Sequence, residues 1–139
     1  MRYSILFIWL SLSLTLLSQS NWSQVTVVGN AIGTESLTKA QVTSIFKGMK
    51  SRWMNDEDVT IVLLSSKHSG CEVMAATIFG RDMKYVKKYW LNLVFQGRAN
   101  PPVYLDSNEE VLNYVKKHPG AIGVVIDNEN VGSLKIKVL

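Results

Sequence analysis

A run of β-branched and apolar residues, Val59 to Leu64, gives way within a few positions to apolar residues at helical spacing from Cys71 onward. The change of period from two to 3.6 across Ser65–Glu72 marks a strand feeding directly into a helix, the joint from which sheets with packed helices are built. Ser69 and Glu72 stand at the spacing of a capping box, so the sequence predicts that Ser69 closes the first turn of that helix while Glu72 reaches back. A Ser-Gly pair at such a joint also places backbone N–H groups at the positive end of a helix, where an anion can be held.

The same alternation continues along the chain. Gln24–Val28 reads as a short strand closed by Gly29-Asn30. Thr38 and Gln41 form a capping box for a helix carrying Val42, Ile45 and Phe46 inward, with Gly48 ending it. Val73, Met74, Ala76, Thr77 and Phe79 lie inside the second helix, and Gly80 stops it. Asp82 starts a third, with Val86, Tyr89, Trp90, Leu93 and Val94 at inward spacing, and Gly97 and Pro101-Pro102 beyond its end. Val103–Leu105 is extended. Ser107 and Glu110 form another capping box, followed by Val111, Leu112 and Val115, and Pro119-Gly120 breaks that helix. Ala121–Ile126 and Leu134–Val138 read as the closing strands. Of Trp53, Tyr89, Trp90 and Phe95, two or three are expected to fill the core, and Trp22 to be exposed.

Residues 1–20 read as a signal peptide. Arg2 is followed by an apolar stretch of about 13 residues, Ile5 to Leu17, and by the small-x-small site Ser18-Gln19-Ser20. That length falls short of the roughly 20 apolar residues that span a bilayer. The expected product is one domain, 21–139, periplasmic or secreted. Of 15 basic and 11 acidic residues only Arg2 falls in the first twenty, which leaves a mature charge of +3. The basic residues are scattered, which argues against nucleic acid as a partner. Cys71 is the single cysteine, so the domain has no internal disulfide.

Ser36-Leu37-Thr38-Lys39-Ala40-Gln41 through Ile45-Phe46-Lys47-Gly48, then Trp53, Ser69-Gly70 and Pro119-Gly120-Ala121-Ile122-Gly123 occur in that order. This series resembles the phosphate-binding proteins of ABC importers, in the periplasmic-binding-protein superfamily, and among them the small single-lobe members. The resemblance covers nearly all of 21–139. It implies an α/β fold, a single lobe of the type II periplasmic-binding-protein-like kind, with a mixed sheet flanked by helices. It also implies a phosphate-like oxyanion as ligand, held by Ser69, Gly70 and Cys71 with Lys67 and His68 nearby. The family's Arg-x-Asp-Gly-Ser-Gly-Thr segment is kept only as Ser69-Gly70. Ser65 stands at the Arg position, Lys67 at the Asp, His68 at the first Gly and Cys71 at the Thr. A bidentate guanidinium and a proton acceptor are thereby lost.

Neither histidine, His68 or His118, has Cys, His or carboxylate neighbours at metal-ligand spacing, so no metal or cofactor is expected. No nucleophile elbow is present, and Glu109-Glu110 read as helix-dipole partners, so the chain is not expected to be an enzyme. Two functions remain open. One is an exported solute-binding-type protein with weak or partner-dependent oxyanion binding. The other is an envelope protein-interaction module that has lost its solute and docks on a membrane transporter or another envelope protein, or rebuilds a cleft as a homodimer.

Overall fold

The computed structural model describes residues 21–128 and 130–139; the leader proposed for 1–20 lies outside them. The described chain forms a six-stranded mixed sheet with four helices. The strands are β1 (Val25–Gly29), β2 (Ser36–Leu37), β3 (Thr60–Leu64), β4 (Val103–Leu105), β5 (Ala121–Ile126) and β6 (Lys135–Val138). Their spatial order is β2-β6-β1-β5-β3-β4. β1 pairs antiparallel with both β5 and β6, whereas β3 is parallel to β4 and β5, and β2 to β6. β1 alone therefore runs against the other five.

Three of the four helices start where a side chain meets their orphan N–H groups. Helix α1 (Lys39–Phe46) has the full capping box of Thr38 and Gln41. Asp82 caps α3 (Met83–Phe95) by accepting from the Tyr85 N–H, and Ser107 caps α4 (Asn108–Lys117) by accepting from that of Glu110. The Glu110 carboxylate accepts from the Asp106 N–H, one residue upstream of the reciprocal capping-box bond. Helix α2 (Cys71–Met74) continues as a π-helical turn, Ala75–Phe79, which Gly80 terminates.

All six residues of β5 are buried, so both of its faces are covered. Gly123 lets α4 lie close on one face, since a Cβ there would meet Val111, Val62 and Val115 at 3.0–3.3 Å. Side chains alternate along a strand, so Ile122, Val124 and Ile126 point to the other face. A Cβ on Gly70 would touch Ile126, which places the start of α2 on that second side. Trp53 (5% exposed) and Trp90 (2%) are core residues, as expected, while Phe95 is 81% exposed. Trp22 is half-buried rather than exposed, and the Lys39 ammonium lies 5.8 Å from its ring centre.

Candidate functional site

The three neighbouring parallel strands β5, β3 and β4 end together, and their loops meet beyond the carboxyl ends, where open α/β sheets hold their ligands. Ser65–Gly70 follows β3, Asp106–Ser107 follows β4, and Asp127 follows β5. The five expected anion-site residues, Lys67, His68, Ser69, Gly70 and Cys71, thus lie at or just after the carboxyl end of β3.

Within the loop, a chain of short bonds winds the backbone into the helix. Ser65 N–H donates to the Leu105 carbonyl at 2.8 Å, His68 N–H to that of Ser65 at 3.1 Å, and Cys71 N–H to that of His68 at 3.2 Å. The His68 imidazole accepts from the Gly70 N–H on Nδ1 at 2.8 Å. Nδ1 is therefore unprotonated, and the proton on Nε2 points to Asn108 Oδ1, 3.1 Å away. Asn108 in turn binds both main-chain groups of Ile126. Its Oδ1 accepts from the N–H at 3.1 Å and its Nδ2 donates to the carbonyl at 2.7 Å. One histidine and one asparagine thereby tie the loop after β3 to the end of β5 and the start of α4.

The Ser69–Glu72 capping box is not formed. Gly70 occupies the cap position with φ −90° and ψ 5°, and no side chain caps the helix. A capping serine needs an extended backbone, whereas the bond from Cys71 to the His68 carbonyl folds this segment into a turn that turns Ser69 outward. Glu72 instead receives the Met83 N–H at 3.1 Å and so supports the start of α3.

The outward chemistry is mixed in sign. Ser69 is exposed. Ser65 donates its hydroxyl proton to the Asp106 carboxylate, whose other oxygen lies 3.9 Å from the Lys67 ammonium. That ion pair is open to water, where such pairs contribute little. Cys71 is 6% exposed, and burial, with the Glu72 charge as a smaller contributor, raises its thiol pKa, so it remains a neutral, poor donor. Two of the expected donors, the amides of Gly70 and Cys71, are thus already engaged by His68, and the charge brought beside the loop is the Asp106 carboxylate. Asn108 and Asp106 are the participants that sequence reasoning missed. Asn108 sits one residue past a recognisable cap, but nothing local distinguishes it as a partner for residues 18 and 40 positions away. Among the described residues no group of three or more His, Cys, Asp or Glu is placed to hold a metal ion.

This architecture, a mixed α/β sheet with its loops gathered at one end, is that of phosphate transport receptors. An ABC-type phosphate transport receptor from Vibrio cholerae matches 83% of this chain and 46% of its own, with a TM-score of 0.61 at 14% identity. PstS from Borrelia burgdorferi matches 83% of this chain and 47% of its own, with a TM-score of 0.57 at 14% identity. The chain spans about half the length of these proteins. No family model and no curated protein sequence matches it.

Proposed function

We propose that this chain is an exported, non-catalytic single lobe of the solute-binding fold that acts through a protein partner and does not itself capture a free oxyanion. The partner is a membrane transporter, another envelope protein or a second copy of the chain. The observation that carries this reading is the engagement of the Gly70 and Cys71 amides by His68. An anion could recruit the Gly70 amide only by displacing the imidazole, and the Cys71 amide only by opening the turn closed on the His68 carbonyl, while the Asp106 carboxylate beside the loop competes for the Lys67 ammonium.

Titration calorimetry with phosphate and with sulfate tests it. The expected result is no measurable heat at millimolar anion. Binding in that range, abolished by Ser69→Asp, would overturn the reading and restore the second one, a weak phosphate-like oxyanion site at Ser69. The specific feature that favours the second reading is the exposure of Ser69 at the carboxyl end of the sheet in a fold shared with phosphate transport receptors. His68→Ala separates the two further. If the imidazole is what withholds the Gly70 amide, its removal frees that donor and creates anion binding that the parent protein lacks.

A further inference from the structure

The chain's charge is not spread evenly. Residues 81–98 contain Arg81, Lys84, Lys87, Lys88 and Arg98 against Asp82 alone, a net charge of +4. That equals the formal net charge of the whole chain, so the other ten basic and ten acidic residues cancel. Helix α3 contains no acidic residue. Among the described residues none of the five cations pairs with a carboxylate, and Asp82 is occupied in capping the helix.

Three of these cations share a face with apolar side chains that the fold leaves uncovered. At about 100° per residue, Lys84, Lys87, Lys88, Leu91 and Phe95 fall within a band roughly 100° wide. All five are exposed, Leu91 by 55% and Phe95 by 81%, while Met83, Val86 and Trp90 on the opposite side are buried. Arg81 stacks on Tyr85 at 4.1 Å and extends the cationic side past the start of the helix. The core therefore accounts for one side of α3 only. An apolar groove of about 230 Å³, lined by Trp90, Leu91, Val94, Pro101, Pro102 and Tyr104, widens the apolar area beside the stripe.

We propose that this face of α3 docks on an anionic lipid surface, with the lysines at the headgroups and Leu91 and Phe95 entering the acyl boundary. The charge is of the complementary sign. A convex helical stripe presenting both cations and large apolar side chains matches a fluid interface, which accepts both along one line. An acidic protein would satisfy the lysines but would need its own pocket for Phe95. The stripe uses none of the His68 loop's donors, so the two proposals rest on different observations and are tested separately.

The test is co-sedimentation of the full chain with vesicles of phosphatidylglycerol and phosphatidylcholine in equal parts, against pure phosphatidylcholine. Binding is expected to the anionic vesicles at low salt, weakening as salt screens the charge. Each basic residue near an anionic surface is worth roughly fivefold, so replacing Lys84, Lys87 and Lys88 by alanine should lower partitioning by about two orders of magnitude. Phe95→Ala should lower it at least severalfold without changing the salt dependence. All four positions are exposed, and an unchanged circular dichroism spectrum verifies folding. Absence of binding to anionic vesicles at low salt overturns the proposal. So does equal binding to neutral vesicles, as an apolar leader alone would give, or full binding by the triple variant. Binding to soluble polyglutamate but not to anionic vesicles would also overturn it and point to an acidic protein.

Discussion

Replacing Asn108 by alanine removes the clamp that joins three loops, and its cost follows from the bonds that are lost. Ile126 is 5% exposed, and both its N–H and its carbonyl are satisfied by the Asn108 amide. Leaving a buried main-chain group unpaired costs about 1–3 kcal/mol. The loop is half-buried and admits water, so about 1 kcal/mol for each Ile126 group is the appropriate end of that range. Loss of the His68 partner adds about 0.5–1 kcal/mol, and alanine's better helix propensity at the first position of α4 returns about 0.5 kcal/mol. The net expectation is a destabilisation of about 2–2.5 kcal/mol. Urea unfolding followed by tryptophan fluorescence should show the midpoint falling by roughly 1–2 M at an unchanged slope. Asn108→Asp should lose less, because a carboxylate still accepts from His68 and from the Ile126 N–H but cannot donate to the carbonyl. In a double-mutant cycle, His68→Ala and Asn108→Ala should be non-additive. A loss below about 0.5 kcal/mol for Asn108→Ala, or full additivity with His68→Ala, would refute the clamp.

Three further outcomes follow from the packing. Trp53→Phe removes the buried indole bond to the Gly120 carbonyl, 2.8 Å long, but that carbonyl still receives the Thr60 N–H, so the loss in urea should be only about 1–2 kcal/mol. Burial pushes the Tyr104 phenol up to about 12. Since the folded state holds that proton more tightly than the unfolded one, stability is flat below about pH 10 and falls between about pH 10 and 12. Tyr104→Phe should flatten that decline, which unfolding at stepped alkaline pH would measure. The Cys71 thiol, buried and with its pKa raised, should react with Ellman's reagent at pH 8 far more slowly than in urea; equal rates would contradict its placement under the loop.

How legible each part was depended on whether its cause is local. The starts of α1, α3 and α4 depend on a side chain three residues from the amide it meets, and Thr38, Asp82 and Ser107 all cap as expected. The strands Thr60–Leu64 and Ala121–Ile126 announced themselves through composition. What failed was set by distance. Ser69 has the same local pattern as Ser107, yet it does not cap. The turn before it is fixed by His68, and His68 is held by an asparagine forty residues away. Ser36–Leu37 is a strand only because β6 supplies its partner. Phe95 keeps helical spacing with Leu91 but projects past the region the sheet can cover, so period alone could not assign it to the core.

The two distinctive parts of this molecule bear on one another through rigidity. In a receptor that closes around its solute, the loops at the carboxyl ends of the strands must keep donors free until the ligand arrives. Here the loops after β3, β4 and β5 are cross-braced by Ser65 to Asp106, His68 to Asn108 and Asn108 to Ile126. A rim braced in this way presents one fixed relief. It suits recognition by a complementary surface better than adaptation to a small ion, because the partner meets no ordering cost in the loop. If α3 holds the chain against anionic lipid, the braced rim is confined to that same surface. A partner embedded there would meet the rim by two-dimensional search, so even a modest contact between them would suffice.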